Sequence, residues 1–313
     1  MTTPHPIVAV VGPTATGKSD LGVALAHALD GEIVNADASQ LYRGMDIGTA
    51  KLTPAEREGV PHHMLDVLEV RDEASVASYQ RDARVAIDGI RQRGRVPILV
   101  GGSGLYVRAV LDDLRIPPTE PAVRARWEAR LEQEGAPALH ARLAASDPSA
   151  AAQIHPSNGR RVVRALEVIE LTGEPFSATM PTREFIAPAV MIGLRIERSE
   201  LYARIGRRVE HMWRDGLLDE VRALDRIGLR EGRTASRAIG YAQALQQLDG
   251  VLTEEQAKDE TASLTRKFAR RQHSWFGPEP RIHWQPYDAP DLLERTRRTL
   301  QEALQEVGDR SRP

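Results

Sequence analysis

The 313-residue chain sets 42 Lys plus Arg against 44 Asp plus Glu, a formal charge of −2 that excludes a uniformly basic nucleic-acid coat protein. Only four of those cations are lysines (Lys18, Lys51, Lys258 and Lys267), so nearly all the positive charge is guanidinium. With 41% hydrophobic residues the chain can bury a core, and its length suits two units or one domain with an insertion. The absence of cysteine excludes disulfides, CxxC zinc sites and thiolate catalysis, and fits a reducing compartment.

The first apolar run, residues 7–11, is too short for a signal core or a membrane span, so a cytoplasmic protein without membrane segments is expected. The run is β-branched and continuous, the pattern of a strand buried on both faces. Leu21, Ala24, Leu25, Ala28 and Leu29 then recur at helical spacing, with Gly31 as the expected stop, and residues 33–36 read as a second buried strand. Ser75 caps a helix marked by Val76, Tyr79, Ala83, Ile87 and Ile90, Gly94 closes it, and residues 96–100 form the next strand. This alternation is α/β winding around a parallel sheet.

From Pro117 and Pro118 to about Pro188 the chain turns rich in Ala, Arg and Glu with helical periodicity, which reads as a helical insertion. Residues 190–196 resemble a returning strand. Ser199 is then the expected cap of a helix bearing Leu201, Ile205, Val209 and Met212, and Thr253 opens a later helix through a capping box with Gln256.

Two features carry chemistry. Gly12-Pro13-Thr14-Ala15-Thr16-Gly17-Lys18-Ser19 fits GxxxxGK[ST] and lies between a buried strand and a helix. Its glycines let backbone amides approach anionic oxygens at a helix N-terminus, while Lys18 would reach a terminal phosphate and Ser19 would ligate Mg²⁺. On the motif alone, a nucleoside triphosphate is the favoured ligand. Asp37 falls at the carboxyl end of the second strand, where open α/β sheets bind ligands; it could be a metal ligand, a general base or a loop cap. Residues 40–51 read as a long polar loop. His62-His63 is rejected as a zinc site, because adjacent residues of an extended chain point to opposite sides.

GPTATGKS, NADASQLYRGMDIGTAK, VGGSGLYVRA, NGRRVVRALEV, SRAIGYAQ and RRQHSWF follow in order along the chain. Together they resemble the blocks of bacterial tRNA dimethylallyltransferases over almost its whole length. The resemblance implies a P-loop NTPase-like α/β core at residues 1–115 and 190–313, with tRNA-binding C-terminal helices, and a helical insertion at 116–189 that contacts tRNA. It implies dimethylallyl diphosphate, tRNA and Mg²⁺ as reactants and cofactor. The prenyl group would go to N6 of the adenosine 3′-adjacent to the anticodon, and a monomer is expected. The phosphate loop, residues Gly12 to Ser19, would then hold the diphosphate with Arg204 and Arg208. Those two arginines lie one helical turn apart and could equally be a solvated face paired with Glu200 and Glu210.

By the same resemblance Asp37, Lys18 and Ser103 are catalytic. The tRNA contacts would comprise Asp37, Ala38, Ser39, Gln40 and Ser103; Arg124, Arg160, Arg161, Val162, Val163 and Arg164; and Arg237, Gly240, Tyr241, Arg270, Arg271 and Gln272. Phe268 and Trp275, seven apart, read as the core face of an amphipathic helix rather than as base-stacking groups. Ala38 stands where the family commonly has Ser, Arg160 where Gln is frequent, and Ala242 where Lys, Arg or Glu is common. An adenylate isopentenyltransferase and a P-loop small-molecule kinase are the alternatives; the arginine clusters argue against the first.

Overall fold

The computed structural model describes residues 5–179 and 184–310. The chain divides into one unit comprising Met1–Leu111 with Ala187–Pro313 and a second comprising Asp112–Ile186. In the first, the continuous apolar run forms β1 (Ile7–Val11), buried throughout. It is joined by β2 (Gly31–Asn35), β3 (His62–His63), β4 (Val96–Val100), β5 (Ala189–Arg195) and β6 (Ile282–Pro286). The sheet order is β3-β2-β4-β1-β5-β6, and every pairing is parallel.

Helices α1 (Lys18–Leu29), α2 (Val76–Gln92) and α3 (Gly104–Leu111) belong to the winding. The insertion holds α4 (Pro121–Glu134), α5 (Ala136–Ser146), α6 (Pro148–Gln153) and α7 (Gly159–Thr172). After β5 come α8 (Arg198–Arg214), α9 (Leu217–Arg226), α10 (Tyr241–Leu248) and α11 (Glu254–Phe276), then α12 (Leu292–Arg310) beyond β6.

Apolar side chains of the sheet, including Val8, Ile33, Ile98 and Ile192, pack with Leu21 and Leu25 of α1 and Leu300 of α12. Each such fully buried aliphatic side chain contributes roughly 2 kcal/mol relative to exposure. A second core joins α8 to α11 with Tyr42 and Met45, which ties the polar loop 40–51 to the C-terminal helices. The insertion has its own core around Leu139, Leu143, Val162, Val163 and Leu166.

Several local expectations change. Gly31 is not the stop of α1 but the first residue of β2, where a Cβ would lie 2.8 Å from the Val96 carbonyl oxygen of the paired strand. The left-handed cap falls on Asp30, with φ 49°. Ser199 sits in the first turn of α8, whose cap is Glu197; its carboxylate accepts from the Arg198 amide. Ser75 and Thr253 cap α2 and α11 as expected. Strands β3 and β6 are the sheet's edges, and their short, polar sequences lack the apolar run that marks the central strands.

Candidate active site at the carboxyl edge of the sheet

The phosphate loop leaves β1 at Gly12, whose φ is 137°. A Cβ there would meet the Leu194 carbonyl oxygen of neighbouring β5 at 2.8 Å, so only glycine fits. Ala15 and Gly17 take left-handed conformations, with φ 62° and 79°, and turn the loop into the first turn of α1. Thr16 closes the loop internally by donating from Oγ1 to the Pro13 carbonyl at 2.9 Å. Lys18 Nζ donates to the same carbonyl at 2.6 Å. Burial lowers the Lys18 pKa to about 8, assisted by Arg208 and opposed by the Asp37 carboxylate. Ser19 follows on the first turn of α1, at the positive end of the helix.

Because β4 lies between β1 and β2, their three carboxyl ends place the phosphate loop, the Gly101–Gly102–Ser103 turn and Asp37 side by side. Asn35, the last residue of β2, accepts from the Asp37 amide at 3.0 Å through Oδ1. It donates through Nδ2 to the Met64 carbonyl at 2.9 Å. Asp37 Oδ1 accepts from the Ser39 amide at 3.0 Å and caps the 3-10 turn Ala38–Leu41. Ser103 is knitted to the same segment: its Oγ accepts from the Ala38 amide and its amide donates to the Ala36 carbonyl, both at 3.2 Å. A Cβ on Gly101 would stand 2.2 Å from the Ala36 carbonyl oxygen, so that glycine serves the close approach of the two strand ends.

Arg204 and Arg208 are directed at the phosphate loop, not at a solvated face of α8. Arg208 donates to Thr14 Oγ1 at 3.1 Å and to the Thr49 carbonyl at 3.0 Å. Burial lowers its pKa, and the Asp37 carboxylate opposes that shift. Arg204 Nε donates to the Ala15 carbonyl at 2.7 Å, and its guanidinium lies 5.0 Å from the Tyr287 ring centroid. Their alternative partners are engaged elsewhere: Glu200 pairs with Arg207 and Glu210 with Lys258. A cavity of about 350 Å³ lies beside this edge, lined by Thr16, Asp20, Leu21, Arg204, Tyr287 and Leu293.

The residues expected at a tRNA surface divide into two groups. Arg160, Arg161, Arg237, Arg270 and Arg271 are exposed, and Ala38, Ser39 and Gln40 are half-buried in the turn after β2. Val162 and Val163 face inward in the insertion core, so their side chains present no surface. Tyr241 is fully buried, and its hydroxyl donates to Glu220 at 2.5 Å; Gly240 before it is the buried N-cap of α10. Gln272 is buried and donates to the Gly102 carbonyl at 3.0 Å while accepting from the Thr14 amide. Arg124 and Arg164 both bind the fully buried Glu167, at 2.5 and 2.9 Å, and Arg164 also donates to the Pro117 and Pro118 carbonyls.

Phe268 and Trp275 do not form the core face of α11. The buried side chains are Ala257, Thr261, Ala262, Ala269, Gln272 and Phe276, one residue further along the helix, and Trp275 is 42% exposed against Gly104. His62 and His63 form β3; His63 hydrogen-bonds the buried Glu32 at 2.7 Å and His62 the Val60 carbonyl at 2.8 Å. Asn35, Glu220 and Tyr287 are side chains of the site that sequence reasoning missed. Asn35 was legible only as part of the NADASQ block, whereas no local signal marks the other two.

A parallel sheet whose first strand ends in a GxxxxGKS loop, with a carboxylate two strands along and two arginines turned onto that loop, defines an α/β protein with a P-loop-like core. Within that class, the IPP transferase family matches residues 40–279. The chain belongs to the IPP transferase family. It is 62% identical to a tRNA dimethylallyltransferase of Kineococcus radiotolerans over 303 residues, covering 95% of this chain and 96% of the relative. It is 64% identical to one of Thermobifida fusca, covering 92% of each chain. Among solved structures, the tRNA isopentenylpyrophosphate transferase of Bacillus halodurans shares 42% identity with a TM-score of 0.72, over 97% of this chain and 98% of that one. A eukaryotic dimethylallyltransferase acting on tRNA superposes with a TM-score of 0.80 at 25% identity, over 99% of this chain and 80% of its own.

Proposed function

We propose that this chain transfers a dimethylallyl group from dimethylallyl diphosphate to N6 of the adenosine 3′-adjacent to the anticodon of tRNA, giving N6-isopentenyladenosine and diphosphate. The family membership and the relatives' activities support the reaction. The observation that carries the chemistry is the placement of Asp37 beside a phosphate loop whose cations are Lys18 and Arg208.

The reaction breaks the allylic C–O bond and forms an N–C bond. Negative charge grows on the departing diphosphate, where the loop amides, Lys18, Arg204 and Arg208 stabilise it as it develops. The attacking N6 must lose a proton once bonded to carbon, and the Asp37 carboxylate takes it. The cap through Oδ1 and the Asn35 hydrogen bonds orient that carboxylate. Ser103, bonded to the Ala38 amide, fixes the turn beside it. An amine stacked in an anticodon loop cannot reach a site at a sheet edge, so the adenosine is extruded into it. Exposed Arg160, Arg161, Arg237, Arg270 and Arg271 supply phosphate contacts.

Ser19 fits Mg²⁺, a hard cation that accepts few protein oxygens and completes its shell with waters and substrate phosphates. Among the described residues no group of three His, Cys, Asp or Glu could hold a metal. When bound, Mg²⁺ would add positive charge at the leaving group. The reading carries with it a cytoplasmic location and a monomer; no helix among the described residues is long and apolar enough to cross a membrane.

Incubation with labelled dimethylallyl diphosphate and unmodified tRNA, followed by nucleoside analysis, tests the reading. Label in N6-isopentenyladenosine supports it. Label in AMP but not in tRNA would make the chain an adenylate isopentenyltransferase, and metabolite-stimulated ATP turnover would make it a kinase.

A further inference from the structure

Glu220 of α9 lies outside every motif of the chain, yet its carboxylate receives four hydrogen bonds. Oε2 accepts from the amides of Asp46 and Ile47 at 3.1 and 2.8 Å. Oε1 accepts from the Gly48 amide at 3.5 Å and the Tyr241 hydroxyl at 2.5 Å. Three successive amides converging on one anion form the type of concavity that elsewhere binds a phosphate or a carboxylate ligand. Here the protein supplies the anion itself.

The turn so held is packed against Tyr241 of α10. A Cβ on Gly48 would stand 2.4 Å from the Tyr241 ring, so the backbone lies directly on that buried phenol. Thr49 Oγ1 donates to the Met45 carbonyl at 2.6 Å and closes the turn. Its carbonyl then points at Arg208, which donates to it at 3.0 Å and to Thr14 Oγ1 of the phosphate loop at 3.1 Å. The guanidinium has its orientation set by two acceptors, and one of them exists only while the 46–49 turn keeps its shape.

We propose that Glu220 is a positioning residue for the leaving diphosphate: by anchoring the 46–49 turn it presents the Thr49 carbonyl to Arg208 and aims that guanidinium at the phosphate loop. The assignment deepens the prenyl-transfer reading and rests on it for the identity of the donor. Three of the four partners are backbone amides, which can only donate, so the carboxylate faces them with acceptors alone. Glu220→Gln keeps the shape but, in either orientation, turns its NH₂ group against at least one of those amide N–H groups.

The test is a double-mutant cycle of Glu220→Gln and Arg208→Ala, read as the affinity for inorganic diphosphate, a probe that requires no prenyl transfer. Glu220→Gln should weaken diphosphate about tenfold, the effect of one lost charged hydrogen bond. In the Arg208→Ala background it should have no further effect, because the group it positions is gone. Tyr241→Phe, which removes one of the four bonds, should show a smaller loss of the same kind and covers the case in which Glu220→Gln fails to fold. Unchanged diphosphate affinity in both variants, or a Glu220→Gln effect that persists in full without Arg208, overturns the proposal. Wild-type protein that binds diphosphate but prenylates no tRNA overturns the functional reading instead, while the cycle still decides the role of Glu220.

Discussion

Gln272 of α11 holds the phosphate loop by the backbone: its Oε1 accepts the Thr14 amide at 2.9 Å, across 258 residues of sequence. Its Nε2 donates to the Gly102 carbonyl, so one side chain spaces the loop from the turn that carries Ser103. Gln272→Ala leaves two backbone groups without their partner, at a cost of about 1–3 kcal/mol each when buried. The expected result is a lowered melting temperature together with a raised KM for dimethylallyl diphosphate. A variant with wild-type values of both would refute this bracing role.

Asp37→Asn separates the two tasks of Asp37. The amide oxygen can still accept from the Ser39 amide and keep the cap, but the side chain no longer takes a proton from the attacking amine. Prenyl transfer should fall by about 10² to 10⁴, the usual worth of general-base catalysis, with diphosphate affinity preserved. Normal turnover in single-turnover assays would remove Asp37 from the proton path.

Lys18 gives a pH dependence of known sign. Burial lowers its pKa to about 8 in the free protein, and diphosphate favours the ammonium form. Donor affinity should therefore be flat below that value and decline above it, by up to about tenfold per pH unit. Lys18→Met should weaken the donor and abolish the decline. If the wild-type profile stays flat through pH 9.5, Lys18 is not the group that meets the diphosphate.

The arginines of α7 should split by role. Arg160→Ala with Arg161→Ala removes exposed cations and should weaken tRNA binding, with the slope of log K against log salt flattened by about 1–2 and no change in melting temperature. Arg164→Ala instead deprives buried Glu167 of a partner and should destabilise the insertion. Burial alone would raise the Glu167 pKa, but hydrogen bonds from Arg124 and Arg164 outweigh it and hold the pKa below the ordinary 4.5. The stabilisation is thus complete above 4.5 and lost as pH falls through the lowered value. Acid unfolding of Arg164→Ala should begin at higher pH than that of the wild type. Coincident acid transitions in the two proteins would contradict this.

The sequence by itself determined the central strands, because a strand buried on both faces must be apolar without interruption, and residues 7–11 and 96–100 are. It determined the phosphate loop as well, since strand, glycine turn, Lys18 and helix are consecutive, and its ordered blocks pointed to the family. Edge strand β6 left no such mark, because it is buried on one side only and is interrupted by His283 and Gln285. Only the tertiary structure placed Asp37, Ser103 and the loop side by side, since parallel strand order is decided by packing between distant segments and not by any local pattern. It likewise decided which polar residues face inward. Gln272, Tyr241 and Arg164 sit in surface-like motifs, yet their partners are Thr14, Glu220 and Glu167. A buried polar group must find a partner wherever the fold supplies one, and two of these three partners lie far along the chain.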